Sequence, residues 1–298
     1  MKCFICGVWL LASLLAPLSA ANANDAPPTD APIAQPASVA PTQGAEDQAA
    51  SLAKQLANPI ASLISLPLQN NVDWGGGPGG QGFQYKLNVQ PVIPIALSSK
   101  WNLISRTIVS VIAQHDIAPV SAGHSNSQSG LGDTLQSLWL SPQVPGKSGI
   151  IWGVGPAFLL RTATDDLLSG GKWGAGPTVV VLKQTGNWTI GALANHIWSF
   201  AGDAKRDTIS NTFVQPFLSY TTRRATSFTV NSETTYDWIH QTWTVPVNLT
   251  VAQLLGSKKT GLAFPIQLQL GYRHYFDKPK NGPTNGLRLS MVALFPAK

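Results

Sequence analysis

Cysteine is nearly missing from this 298-residue chain: the only two, Cys3 and Cys6, fall within its first six positions. If that leader is removed, no disulfide is available, and an exported fold of this size has to be held by another device. Charge is sparse too, with Lys, Arg, Asp and Glu making up 11% of residues. The formal net charge is +6, yet no basic run exceeds Arg223-Arg224 and Lys258-Lys259, which argues against a nucleic-acid partner. Beyond the leader no apolar run approaches the ~20 residues of a spanning helix. The sequence also lacks Cys and His spacings for a metal, and it carries no cofactor fingerprint. Gly75-Gly76-Gly77-Pro78-Gly79-Gly80 resembles a phosphate loop only superficially, because the Lys-Ser/Thr and the helix that should come after it are missing.

The leader itself is informative. Lys2, the apolar run from Val8 to Ala16 and the small-residue site Ala21-Asn22-Ala23 predict a secretory signal peptide over 1–23. Residues 24–48 are rich in Ala, Pro, Thr and Gln and read as a disordered linker. Helix formers begin at Glu46, and Asn58-Pro59 interrupts them, so a short helix is expected within 49–65. It either lies on the surface or is tucked against the remainder of the chain, which spans 66–298.

That remainder has period two. In Gly261–Phe276, Leu262, Phe264, Ile266, Leu268, Leu270 and Tyr272 form one set and Ala263, Pro265, Gln267, Gln269, Gly271 and Arg273 the other. Such alternation makes a strand with one apolar and one polar face, and its length reaches the ~9–11 residues of a tilted membrane-crossing strand. Twelve strand-like segments can be marked, at about 66–72, 83–97, 101–114, 130–141, 149–161, 173–183, 187–200, 209–222, 226–238, 243–255, 261–276 and 286–295. Several alternate as clearly, while others such as 101–114 and 130–141 are apolar on both faces and are assigned from context. The gaps between them are alternately long and short, the ninth excepted, as expected of an even-stranded outer-membrane barrel with long external loops and short periplasmic turns. The mean hydropathy of +0.06 suits strands of alternating polarity.

Aromatic placement agrees. Trp101, Trp139, Trp152, Trp173, Trp188, Trp198, Trp238 and Trp243 fall near predicted strand ends, with Tyr272, Tyr275, Phe276 and Phe295 placed similarly. Rings at those places form girdles at bilayer interfaces. Against simple strands stand Pro91, Pro94, Pro156, Pro177, Pro216, Pro246 and Pro265, each of which removes a ladder donor and calls for a bulge or kink. The pentad Trp152-Gly153-Val154-Gly155-Pro156 recurs as Trp173-Gly174-Ala175-Gly176-Pro177 and suggests a shared hairpin construction.

Several of these stretches carry a resemblance. The run Asn58–Asn71 (NPIASLISLPLQNN), Leu87–Pro94 (LNVQPVIP), Trp101–Thr107 (WNLISRT), Gly130-Leu131-Gly132-Asp133 and Gly153-Val154-Gly155-Pro156 are similar to a family of bacterial outer-membrane transporters. That family is named for the MetA pathway of phenol degradation, and some of its members carry the label neuromedin U. The resemblance runs from Ala57 to the C-terminus and implies an outer-membrane barrel with a transport role and no catalytic residues. The ending Phe295-Pro296-Ala297-Lys298 departs from the commoner barrel terminus.

The expectation is therefore an all-β, antiparallel transmembrane barrel of about twelve strands in the outer membrane of a Gram-negative bacterium, with lipid as its immediate partner. Taking the polar set of each strand as lumen-facing gives Lys86, Gln90, Arg106, Arg161, Glu233, Gln267, Gln269, Arg273 and Arg288 as the solute path. Basic groups outnumber acidic ones there, which favours small organic solutes such as aromatic acids or acidic sugars. Two other readings stay open. A surface hydrolase could draw on His115-Asp116, His124-Ser125, Asp165-Asp166 or Asp237 with His240, and a structural barrel would have its lumen plugged, its arginines paired with Glu233 or Asp133.

Overall fold

The computed structural model describes residues 43–117 and 126–295. The expected signal peptide, most of the linker, His124-Ser125 and the last three residues lie outside that range. The described chain is a closed antiparallel barrel of twelve strands. In chain order β1 is Ile64–Gly76, β2 is Gly82–Val89 continued by Val92–Ala96, β3 is Trp101–His115, and β4 is Ser127–Leu131 continued by Thr134–Pro142. Then come β5 (Ile150–Leu160), β6 (Lys172–Thr185), β7 (Trp188–Gly202) and β8 (Ser210–Thr221). The circle is completed by β9 (Thr226–Ser232 continued by Thr234–Asp237), β10 (Thr242–Leu255), β11 (Ile266–Asp277) and β12 (Asn285–Phe295). Each strand pairs with the next, and β1 pairs with β12 from Ile64↔Phe295 to Trp74↔Asn285, so the sheet has no free edge. A closed ladder of this kind satisfies the backbone where no water can.

Burial is inverted relative to a water-soluble protein. On β11, Leu270 is 62% exposed while Arg273 is 8% exposed. The same parity runs round the circle: Asn71, Gln90, Asn248 and Arg288 point inward and are buried, whereas Ile95, Val181, Leu249 and Leu289 point outward and are exposed. The outward apolar band is what a hydrocarbon solvent requires. Aromatic pairs mark its two borders, with Trp101–Trp152 and Trp188–Tyr220 at the short-turn end and Tyr236 against Trp238 and Trp243 at the long-loop end. Two predicted girdle residues prove to face inward: Trp139 is 1% exposed inside the barrel, and Tyr275 accepts a hydrogen bond from Arg273.

The prolines sit where the ladder is already interrupted. Pro91 separates the two halves of β2, and Pro246 lies at a register shift between β10 and β11. The two pentads lie on adjacent strands with Pro156 directly opposite Pro177. Their missing donors point away from each other, toward β4 and β7, and both of those ladders skip the proline and the glycine before it. There Gly155 and Gly176 let a neighbouring carbonyl come close: a Cβ would stand 2.0 Å from Leu138 O at the first and 1.7 Å from His196 O at the second.

Other boundaries differ from the sequence expectation. The first helix, α1, spans Gln43–Leu56 rather than 49–65, so the end of the expected linker is helical, and β1 starts at Ile64. Asn58 stops the helix by accepting from the Ile60 backbone N–H at 3.0 Å. Residues 261–265 are not strand either. A short helix, Ser257–Thr260, ends on Gly261 at φ 70°, and Pro265 cannot donate, so β11 begins only at Ile266.

The pentad geometry predicts that Gly176→Val and Gly155→Val each abolish barrel assembly, read as loss of the faster-migrating unboiled band on a gel. Gly146→Ala, where a Cβ would meet nothing within 4 Å, leaves that band intact.

Candidate functional site in the barrel lumen

The inner wall has two unlike halves. One is polar and charged, centred on Glu233. This carboxylate stands where Pro246 breaks the pairing of β9 with β10, and its own backbone N–H donates to Pro246 O. Arg288 on β12 grips it as a fork, Nη1 donating to Oε1 at 2.9 Å and Nη2 to Oε2 at 2.8 Å. Arg273 on β11 adds Nη2 to Oε2 at 2.6 Å, while its Nε donates to Asn248 Oδ1 at 2.7 Å and its Nη1 reaches Asp73 Oδ2 at 3.4 Å. Asn71, directly opposite Arg288 in the β1–β12 ladder, accepts from Arg288 Nε at 2.8 Å. Side chains from β1, β9, β10, β11 and β12 are thus tied together across the closing seam. Paired and fork-bonded ions of this kind tolerate burial that a lone ion would not.

The other half is apolar. Ile104, Trp139, Val180, Leu182 and Leu193, from β3, β4, β6 and β7, form a buried cluster inside the barrel. Its sixth member is Ile60, from the segment between α1 and β1. Gly153 makes room for it, since a Cβ there would lie 3.3 Å from Ile60 Cδ1 and 3.1 Å from Trp139 Cβ. The indole N–H of Trp139 donates to Thr178 Oγ1 at 3.2 Å.

Helix α1 occupies the short-turn mouth. Ala49, Leu52, Ala53 and Leu56 pack with Leu63, Ala225, Leu254, Val292 and Leu294. Lys54 Nζ donates to Gly186 O at 2.7 Å, and Gln184 Nε2 donates to Lys54 O at 2.8 Å, so the helix is pinned to the β6–β7 turn. Asn102 on β3 donates to Ser62 Oγ at 2.9 Å and holds the segment that leads into β1. Of the two placements expected for this helix, the structure has the one against the barrel interior.

Among the described residues, two cavities stand out within the lumen. The one beside the N-terminal segment, of about 240 Å³, includes Leu56, Pro59, Gln267 and Gln269 in its lining. The other, of about 320 Å³, has Asn88 and Glu233 on one side and Leu135, Leu159, Ile197 and Phe213 on the other, with Ser137, Asn195 and Asn211 interleaved among the latter. Gln69, Gln90, Arg106 and Gln215 line both and form the boundary between them.

Eight of the nine residues expected in the lumen face it, but they fall into different groups. Glu233, Arg273 and Arg288 are consumed in mutual ion pairs. Gln90, Gln267 and Gln269 line cavities. Arg106 donates to Gln90 Oε1 at 2.5 Å and forms no ion pair among the described residues, and Lys86 makes no side-chain hydrogen bond among them. Arg161 is the exception: β5 ends at Leu160, which leaves Arg161 exposed in the loop beyond it. Asp133 does not meet the arginines either. It caps the β5–β6 loop, accepting from Ser169 Oγ at 3.0 Å and Gly170 N at 2.9 Å. Sequence reasoning missed the apolar half, whose positions alternation alone assigns to polar residues, and Asp73, because the first predicted strand ends at residue 72 while β1 runs to Gly76.

Among the long loops, Asp165 accepts from Leu167 N and caps a single helical turn. His115 Nδ1 lies 2.7 Å from Ser127 Oγ and its Nε2 is 3.1 Å from Asp116 Oδ2, an order that arises because His115 and Ser127 are opposed in the ladder. His240 joins two loops, with Nδ1 2.8 Å from Asp237 Oδ2 and Nε2 3.3 Å from Asp207 Oδ2. The hydrogen bond to Asp237 above all, with Asp207 adding to it, raises the His240 pKa above the usual histidine value. No group of three or more His, Cys, Asp and Glu able to hold a metal occurs among the described residues.

No family model matches the chain, and no curated protein does. Solved structures do. An outer membrane channel from Pseudomonas putida F1 superposes with a TM-score of 0.60 at 15% identity, covering 78% of this chain and 96% of that one. Outer membrane phospholipase A from Escherichia coli gives 0.45 at 10% identity, over 78% and 97% of the two chains. At 15% identity the first is a likeness of fold, and that fold is the barrel of Gram-negative outer-membrane proteins.

This geometry predicts two outcomes. Glu233→Ala strands two guanidinium groups and should lower unfolding stability in detergent by about 3 kcal/mol, the low end for breaking a buried ion pair because Glu233 retains some exposure. Replacing Arg288 by Met in the same variant should recover part of that loss. The second outcome concerns pH. Because the folded His240 pKa is raised, its link between loops is complete below the ordinary value of about 6.5 and is lost as pH rises through the higher folded value. Amide exchange in loop 203–209 should therefore accelerate over that rise beyond its intrinsic pH dependence, and His240→Gln should remove the extra step.

Proposed function

We propose that this barrel is an outer-membrane channel for small organic solutes, which pass by diffusion through a polar, slightly basic lumen. The observation that carries the reading is the cavity of about 320 Å³ inside the barrel, bordered by hydrogen-bonding groups on one side and by Leu135, Leu159, Ile197 and Phe213 on the other. A purely structural barrel has no need of such a space, and interiors normally close-pack. The motifs that resemble those of the transporters of the MetA pathway support the transport role, and the excess of basic over acidic groups in the lumen supports small aromatic or acidic solutes. Lipid is the only partner this role requires, and no cofactor enters it.

The N-terminal segment sets the resting state. With α1 and Ile60 seated in the short-turn mouth, which faces the periplasm in barrels of this kind, the native channel passes little current. Ile60→Asp buries a carboxylate among Ile104, Trp139 and Leu193 and displaces the segment. In planar bilayers the native protein should show small, infrequent openings and the variant larger, steadier ones. Silence from both, in protein with the mobility of a folded barrel, would overturn the channel and leave a structural barrel.

A surface-hydrolase reading would rest on Ser127, His115 and Asp116, which have the hydrogen-bond order of a nucleophilic relay. Covalent labelling of Ser127 by a fluorophosphonate would favour it. We expect none, since these side chains are exposed at a strand end and border neither lumen cavity.

A further inference from the structure

Among the described residues, four basic and two acidic side chains face the middle of the lumen, but their charges are not evenly spent. Arg273 and Arg288 share Glu233, and Arg273 also meets Asp73. That leaves Lys86 and Arg106 without an ion pair among the described residues. Of these Arg106 has the more telling place, on the boundary of both cavities, so a solute moving from one to the other passes it. Its guanidinium has five N–H donors in a fixed fork. Its Nη2 donates to Gln90 Oε1, and Gln90 in turn donates from Nε2 to Gln69 Oε1 at 3.2 Å. Gln90, only 4% exposed, thereby holds the fork from one side and leaves other donors available. The carboxylate that could have neutralised it, Glu233, is gripped by Arg273 and Arg288 instead.

Across the larger cavity from this polar edge stand Leu135, Leu193, Ile197 and Phe213, with Ser137, Asn195 and Asn211 interleaved among them. An apolar cavity of about 150 Å³ holds a benzene ring, so about 320 Å³ takes one ring or a short chain together with a carboxylate. We propose that Arg106, oriented by Gln90, is the binding subsite for small organic monoanions with an apolar body, and that the lumen selects these over sugar acids. The selection comes from the wall. A carboxylate replaces its water with the charge-assisted fork, and a ring or alkyl chain gains by burial against leucine and phenylalanine. Ser137, Asn195 and Asn211 can partner only some of the hydroxyls of a sugar acid, and each hydroxyl left facing the leucines and Phe213 costs about 1–3 kcal/mol.

This subsite rests on the reading of the lumen as a solute path, yet its test does not depend on current. Titration calorimetry of the full-length barrel in detergent, with benzoate, hexanoate and gluconate as probes, reads the site directly. Saturable binding of benzoate and hexanoate is expected, with gluconate at least about tenfold weaker. Arg106→Gln, in protein that keeps the mobility of the folded barrel, should weaken benzoate by about tenfold or more, the worth of a charged hydrogen-bonded pair. Leu193→Asn should narrow the gap between benzoate and gluconate while leaving gluconate no weaker. Benzoate binding unchanged in Arg106→Gln, gluconate binding as tightly as benzoate, or no binding of any probe would each overturn the subsite. None of these outcomes touches the conductance measurement, which decides the channel separately.

Discussion

Every strand in this barrel gives its backbone groups to two neighbours, and the last of these pairings, β12 with β1, is the one on which the others depend. Hydrocarbon offers no substitute for a missing hydrogen bond, so an unclosed sheet would expose two edges along their length. The seam is reinforced from inside: Asn71 and Arg288 face each other across it, and Arg288 carries the connection on to Glu233 three strands away. The same constraint explains the prolines. Opposing Pro156 and Pro177 keeps the β5–β6 ladder whole and moves both missing donors to places where a glycine lets the next carbonyl draw near.

Closure also creates an interior whose chemistry is independent of the lipid outside. The charged half uses its arginines to hold its carboxylates, which makes it a rigid strut rather than a freely ionic surface. The apolar half is built from side chains at inward-facing positions that alternation would lead one to expect polar, namely Ile104, Trp139, Val180, Leu182 and Leu193. They are there because a protein segment, not water, covers them. An Ile60 inserted from the N-terminal side turns part of the lumen into an ordinary hydrophobic core.

Much of the fold was legible in the sequence because lipid on one side and polar groups on the other impose period two on almost every strand, and turn chemistry divides them. Strand number comes from that alternation together with the long and short gaps, and the segments at 101–114 and 130–141, apolar on both faces, take their place from context. The errors have physical sources. Gly261 and Pro265 have alternating neighbours, but a left-handed cap and a missing donor exclude them from the strand. Trp139 and Tyr275 lie near strand ends as girdle residues do, but their parity turns them inward. Arg161 would reach the lumen only on one further residue of strand, which does not form. The sequence offers Glu233 and Asp133 as partners for the lumen arginines without deciding which arginines are paired, since Glu233 meets Arg273 and Arg288 at separations of 40 and 55 residues, and only the closed barrel brings them together.

The connection between α1 and β1 has a further consequence. Helix α1 ends at Leu56 and β1 begins at Ile64, so residues 57–63 tether the helix to the wall it occupies. Seven residues extend to about 23 Å at most, enough to let the helix leave its seat but not the neighbourhood of the mouth. A segment on so short a leash returns with an effective concentration in the millimolar range. The helix is in this sense a built-in competitor for the lumen, an occupant that never diffuses away.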